Sequence, residues 1–198
     1  KKETIKKVRL NILGKHNIQN SLAAVTVAKI LNINTVDLKN AFKKFDGVKR
    51  RFTLVCNFKG IKIIDDYAHH PEEIKATLNL TKILKPKKII VIFQPHRFSR
   101  FKSLYLDFKK TLKNCDKLYV TDVYAAGEKR IRSISKESFV AEMNKNKKNF
   151  AKTLDNFNHL PQIILNEAKY GDIVIFIGAG DISKWVNNLL KKLNKLKF

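Results

Sequence analysis

From about residue 52 onward, short apolar runs alternate with stretches whose apolar positions recur every three or four residues. Residues 52–58 and 61–64 are apolar runs on either side of Lys59-Gly60, a break of the kind that turns one strand back on another. The runs 88–93 (KIIVIF) and 172–177 (DIVIFI) are continuously apolar, as in strands buried on both faces. Residues 117–121 predict another strand and 151–154 a weak one. The stretches between predict helices over 71–84, 100–112, 136–144, 157–168 and 181–193. Pro71 suits a first helical turn, and Glu72 and Glu73 suit its positive end. Pro161 is expected in the opening turn of its helix. Strands alternating with amphipathic helices predict an α/β fold: a mostly parallel sheet with helices on both faces.

The first 46 residues have a different rhythm. Residues 8–13 predict a strand, 17–31 a helix capped by Asn17, and 35–45 a second helix stopped by Asp46-Gly47. One strand and two helices cannot close a sheet of their own. These residues therefore read as the end of one domain, 1–46, followed by a second, 47–198, with the seam near residues 46–49.

Composition narrows the class. Of 198 residues 44% are hydrophobic, enough for a packed core, and no run of about 18 apolar residues predicts a membrane span. The first residues lack the apolar stretch of a secretory signal. Cys56 and Cys115 lie far apart in apolar surroundings and read as free thiols in a reducing cytoplasm. The net charge of +24 raises the question of a nucleic-acid partner. Only seven of the 41 basic residues are arginine, and the lysines are dispersed along the chain with many Asn and Ile. That pattern fits an AT-rich coding bias and solvated helix faces, and no nucleic-acid-binding motif accompanies it.

In a parallel sheet, ligands bind beyond the carboxyl ends of the strands, so the residues just after each strand carry the chemistry. After 61–64 comes DDYAHHP, residues 65–71: two carboxylates, a phenol and two imidazoles within six positions. Carboxylates there can accept from ribose hydroxyls or cap the following helix. Adjacent histidines without ligand spacing do not suggest zinc. After 88–93 comes QPHRFSR, residues 94–100. Arg97 and Arg100 stand at a helix start, where the dipole disfavours cations, and paired guanidinium forks would clamp a carboxylate or phosphate. After 117–121 comes DVYAAGE, residues 122–128, with Glu128 either an amine ligand or a solvent-facing acid. Gly178-Ala179-Gly180 could let an anion approach backbone N–H groups, or simply make a tight turn. Near the start, His16 and Asn20 lie four apart on one helical face, and an amide can match an adenine edge.

Taken in order, GKHNIQNSLAA (14–24), GVKRRF (47–52), DDYAHHP, QPHRFSR, DVYAAGE and the final Gly-Ala-Gly resemble the Mur ligase family over nearly the whole chain. The resemblance implies a three-domain, ATP-dependent amide-forming ligase of peptidoglycan synthesis. Residues 1–46 would end its central ATP-binding domain. Residues 47–198 would be its Rossmann-like C-terminal, amino-acid-binding domain. ATP would convert the carboxylate of UDP-N-acetylmuramate to an acyl phosphate, and L-alanine would attack it. The resemblance implies His16 and Asn20 at the adenine, Arg51 at the ATP phosphates and Asp66 at the ribose. It implies Tyr67, His69, His96, Arg97 and Arg100 on the amino-acid side, with Arg51 and His69 catalytic. Mg2+ is implied as well, with its ligands expected upstream of this sequence. No G-x-x-x-x-G-K-[ST] phosphate loop occurs in the 198 residues, so on their own they are predicted to be inactive.

Three rivals remain at this stage. One is a ligase of the same family that recycles wall peptides, which would share DDYAHHP but differ at QPHRFSR. Another is a basic nucleic-acid-binding module, with steep salt dependence. The third is a nucleotide-dependent oxidoreductase domain, which would want a full GxGxxG.

Overall fold

The computed structural model describes residues 5, 7–12, 14–145 and 147–195, apart from the side chains of residues 15, 16, 194 and 195. The chain divides into two compact units, Lys1–Val48 and Lys49–Phe198.

In the first unit, α1 (Lys15–Ile30) is followed by α2 (Thr35–Lys44). The Asn34 side chain caps α2 by accepting from the Asp37 amide at 2.9 Å. Ala28, Leu38 and Phe42 form a small core with Ile5, Leu10 and Val25 against it. Two expectations are corrected. Residues 8–12 form no strand, because they share no backbone hydrogen-bond ladder with another described segment. And α1 begins two residues before Asn17, with Gly14 at its cap, so Asn17 sits in the first turn and its amide donates to Gly14 O at 3.0 Å.

The second unit is a six-stranded sheet. β1 (Thr53–Phe58) and β2 (Ile61–Asp66) form an antiparallel hairpin around Lys59-Gly60. β3 (Ile89–Phe93), β4 (Lys117–Val120), β5 (Ala151–Thr153) and β6 (Ile173–Ile177) run parallel to β2, in the order β1-β2-β6-β3-β4-β5.

Alternation within the buried strands builds two cores, since successive side chains point to opposite faces. Val91, Phe93, Ile175 and Ile177 pack on one face with α3 (Pro71–Ile83), α4 (Phe98–Ser103), α5 (Tyr105–Leu112) and α6 (Lys136–Asn144). Ile90, Ile92, Val174 and Phe176 pack on the other with α7 (Leu160–Glu167) and α8 (Ile182–Lys195). The predicted two-faced α/β architecture is therefore what folds. The helix predicted over 100–112 starts earlier and breaks at Leu104, which caps α4 and opens α5. The break packs Phe101, Tyr105 and Phe108 around Phe93 and Phe139, with ring centroids 5.0–6.2 Å apart. The helix predicted from 157 opens as a 3-10 turn, Phe157–His159, before α7, where Pro161 occupies the first turn as expected.

Candidate active site

The carboxyl ends of β2, β3, β4 and β6 lie side by side, and the residues that follow them converge. Ahead of β1, Arg50 (φ 62°) and Phe52 (φ 50°) both adopt the left-handed region, which side chains other than glycine rarely do unless held. Asp66 holds them. Its Oδ2 accepts from Phe52 N at 2.7 Å, its Oδ1 accepts from Ala68 N at 2.8 Å, and Tyr67 N donates to Arg50 O at 2.7 Å. The resemblance implied a ribose at Asp66. The structure buries it to 5% exposure, with each oxygen engaged by a backbone amide. Burial pushes its carboxyl pKa up, and the amides of Ala68 and Phe52 restrain the rise.

Arg50 points inward. Its Nη2 donates to Gly178 O at 2.8 Å and to Gly180 O at 3.2 Å, and its guanidinium lies 4.7 Å from the Tyr67 ring centroid. Its buried Nε has no hydrogen-bond partner and stands 4.0 Å from Asp65 Oδ2. Burial raises the Asp65 pKa, while Ser183 and the Arg50 charge oppose the rise. Arg51 points outward: its side chain is 54% exposed, 5.4 Å from the Tyr67 ring and 3.9 Å from Glu73 Oε1.

The next turn is fastened by Glu73, whose Oε2 accepts from His69 N at 3.0 Å and His70 N at 3.2 Å. With the His70 side chain capping α3, this is a reciprocal capping box. Burial alone would raise the Glu73 pKa, but the amides and the charges of His69 and Arg51 hold it below the usual value. His69 Nδ1 lies 3.0 Å from Tyr67 O, and a carbonyl only accepts. Nδ1 therefore carries hydrogen in this contact, which leaves Nε2 with a lone pair when the ring is neutral.

Beyond β3, the buried Gln94 amide stitches the strand to α8: Nε2 donates to Asp181 Oδ1 at 2.7 Å and Oε1 accepts from Ile182 N at 3.1 Å. A Cβ on Gly180 would lie 2.5 Å from Gln94 Oε1 and 2.5 Å from Tyr124 Cγ, so the glycine admits these two side chains. Gly178 N donates to Asp66 O, and the carbonyls of Gly178 and Gly180 face Arg50. The Gly-Ala-Gly turn is thus a close-packed corner.

His96 stacks on Tyr124 at 5.5 Å and lies 5.6 Å from the His69 ring. Its Nδ1 is 3.2 Å from Arg100 Nη1, and because a guanidinium only donates, that nitrogen accepts. Burial, then the charges of Arg100, His69 and Arg97, lower its pKa. Arg97 caps α4 with φ 70° and donates from Nε to Glu128 Oε1 at 2.8 Å. Ser99 donates to the same carboxylate from Oγ at 2.6 Å and from N at 2.9 Å. These bonds, led by those from Ser99, hold the Glu128 pKa down to about 2.

The structure therefore brings together Arg51, Tyr67, His69, His96, Arg97 and Arg100. Asn20 is exposed on α1 in the first unit, and the His16 side chain falls outside the described residues. Arg50 and Glu73 were missed as parts of the site. Arg50 sits beside a predicted site arginine and Glu73 closes a capping-box spacing, but neither pattern reveals which way a side chain turns. Among the described residues no group of three or more His, Cys, Asp or Glu side chains could hold a metal ion. The acids here are already committed to amides and cations, so Mg2+ finds no ligand set among them.

Residues 50–180, from Arg50 through the Gly-Ala-Gly turn after β6, match the family "Mur ligase, glutamate ligase domain". The chain belongs to the Mur ligase family. Among curated Mur ligases, the UDP-N-acetylmuramate-L-alanine ligase of Rickettsia canadensis is 47% identical, over 97% of this chain and 41% of the relative. That of Rickettsia bellii is 46% identical over the same shares. The chain thus spans about 41% of the length of these relatives. The crystal structure of UDP-N-acetylmuramate-alanine ligase from Thermotoga maritima superposes with a TM-score of 0.76 at 29% identity, covering 96% of this chain and 40% of that one. A single domain from a putative Mur ligase of Haemophilus ducreyi shares the fold at 21% identity and a TM-score of 0.53, covering 72% of this chain and 99% of that one.

Proposed function

We propose that this Mur ligase chain is the amino-acid-binding part of an ATP-dependent, cytoplasmic UDP-N-acetylmuramate-L-alanine ligase. The observation that carries the reading is the side-by-side placement of an exposed cation, Arg51, and a half-exposed row, His69, His96, Arg97 and Arg100, at one end of the sheet. The identity to named alanine ligases over nearly the whole chain supports the choice of L-alanine.

In this reading the reaction needs three things from these residues. A carboxylate receptor holds the amino acid, and Arg97 and Arg100 supply it with guanidinium forks. A base takes the proton from the attacking amine, and His69 Nε2 is available because Nδ1 is tied to Tyr67 O. A cation meets the charge that grows as phosphate leaves the acyl phosphate. Arg51 supplies that by swinging out of its long contact with Glu73. Tyr67 sits within reach of both arginines ahead of β1 and shapes the wall between phosphate and amino acid. Asp66 fastens the Arg50–Phe52 segment, and the ribose role is carried over to it from the resemblance. The adenine role of His16 and Asn20 belongs to the first unit. Mg2+ would be held by residues other than those described.

The test is phosphate release by the full-length parent protein with ATP, Mg2+ and UDP-N-acetylmuramate, with and without L-alanine. Release that depends on L-alanine supports the reading. Release that needs a peptide instead of the free amino acid moves the chain to the recycling ligases of the family.

A further inference from the structure

Arg97 is held by one edge only. Its Nε donates to Glu128, while Nη1 and Nη2 form no hydrogen bond or ion pair with a side chain among the described residues. A guanidinium is a rigid plane of five N–H groups. Pinning Nε fixes the plane and leaves the Nη1/Nη2 edge able to meet a carboxylate with two parallel bonds. Glu128 is itself immobilised by the two bonds from Ser99.

Glu128 closes the loop 121–128, and the other end of that loop is anchored too. Lys136 opens α6 and is only 5% exposed, with Nζ 2.8 Å from Asp122 Oδ2 and 2.5 Å from Asp155 Oδ1. A buried ammonium is strongly unfavourable without such partners, so these carboxylates are held close to it. Between the two ends, Tyr124 N donates to Pro95 O and Arg97 N donates to Tyr124 O, both at 2.8 Å. The loop is thus sewn along the segment that carries His96 and Arg97.

We infer that Glu128 is a positioning residue for amino-acid recognition: it turns the Arg97 guanidinium so that the Nη1/Nη2 edge faces the substrate carboxylate, and Lys136 secures the loop that carries it. The inference rests on the ligase reading above and deepens it. Glu128 is also a negative charge near the place where a carboxylate would bind. If it competed with the substrate for Arg97, its removal would tighten binding, so the sign of the effect decides.

The experiment is steady-state kinetics on the full-length parent protein. Glu128→Gln keeps the shape and loses the charge. It raises KM for L-alanine roughly tenfold, the loss of one charge-assisted bond, with kcat within about twofold. KM for ATP and for UDP-N-acetylmuramate stays unchanged. Because Glu128 acts through Arg97, the Arg97→Ala/Glu128→Gln double variant matches Arg97→Ala alone. Lys136→Met shifts the same KM less, and Lys136→Arg restores it. A KM for L-alanine that falls or stays put overturns the inference, as do additive effects of the two substitutions. So does a rise in all three KM values together with a lower Tm, which marks a merely structural role. A wild-type parent without alanine-dependent phosphate release instead removes the ligase reading itself, before any variant is compared.

Discussion

The Arg50 guanidinium lies 4.7 Å from the centre of the Tyr67 ring while its Nη2 bonds the carbonyls of Gly178 and Gly180. One side chain thus ties the segment ahead of β1, the turn after β2 and the turn after β6. Arg50→Met keeps much of the bulk and leaves both carbonyls unpaired. The expected loss is about 1–3 kcal/mol, read as a shift in the urea midpoint with unchanged slope. An unshifted midpoint would show that the tie contributes nothing to stability.

Gly180→Ala places a methyl group within 2.5 Å of Gln94 Oε1 and Tyr124 Cγ. Overpacking of this kind costs about 1–3 kcal/mol. Tyr124 Cβ also lies 2.7 Å away, so only a Tyr124→Gly background removes that obstruction, and Gly180→Ala lowers Tm less there than in the wild type. Equal losses in the two backgrounds would show that Tyr124 is not the obstruction.

The His96 imidazole titrates below its usual 6.5, because burial and then the Arg100 charge disfavour its cation. At neutral pH it is uncharged and accepts from Arg100. Just below pH 6.5 the unfolded chain binds this proton before the folded chain does, so the His96 contribution to stability falls as pH drops through that window. Imidazole proton shifts followed by NMR give the midpoint directly, and Arg100→Ala moves it upward. A wild-type midpoint at or above 6.5 contradicts the assignment.

Glu128 behaves in the same sense, over a more acidic interval. Its folded pKa of about 2 lies under the usual 4.5, so its contribution is complete above pH 4.5 and disappears on the way down to about 2. The stability gap between wild type and Glu128→Gln closes over that interval. A gap that is constant from pH 6 to pH 2 would mean the carboxylate is not the source.

Phe101 is fully buried and touches Phe93, Tyr105, Phe108 and Phe139. Phe101→Ala leaves a cavity and costs about 3–5 kcal/mol. A Tm within a few degrees of wild type would mean that the surrounding rings collapse into the space.

Apolar runs such as IIVIF and IVIFI announced buried parallel strands, and Pro71 with two glutamates announced α3. These signals are local, since they depend on period and on helix ends. Neighbours in space left no such mark. The strand expected over 8–13 had the right residues, but residues 8–12 join no ladder among the described residues. The helix expected over 100–112 broke at Leu104, where a group of rings decides the packing. At the site, DDYAHHP and QPHRFSR named the right segments, yet not the direction of each side chain. Asp66 reads like a ligand and turns inward to backbone amides. Glu128 reads like a surface acid and holds Arg97.

Strand order also sets a timetable. β6 lies between β2 and β3, and Asp66 pairs with Ile177, 111 positions later in the chain. At about 5–20 residues per second, a ribosome needs on the order of ten seconds to deliver that partner. Until then β2 and β3 each keep one apolar backbone edge without a mate, the kind of edge that invites pairing with a foreign strand. The last strand made is the one that joins the sheet into a whole, so the nascent chain is most exposed to association and proteolysis just before its synthesis passes residue 177.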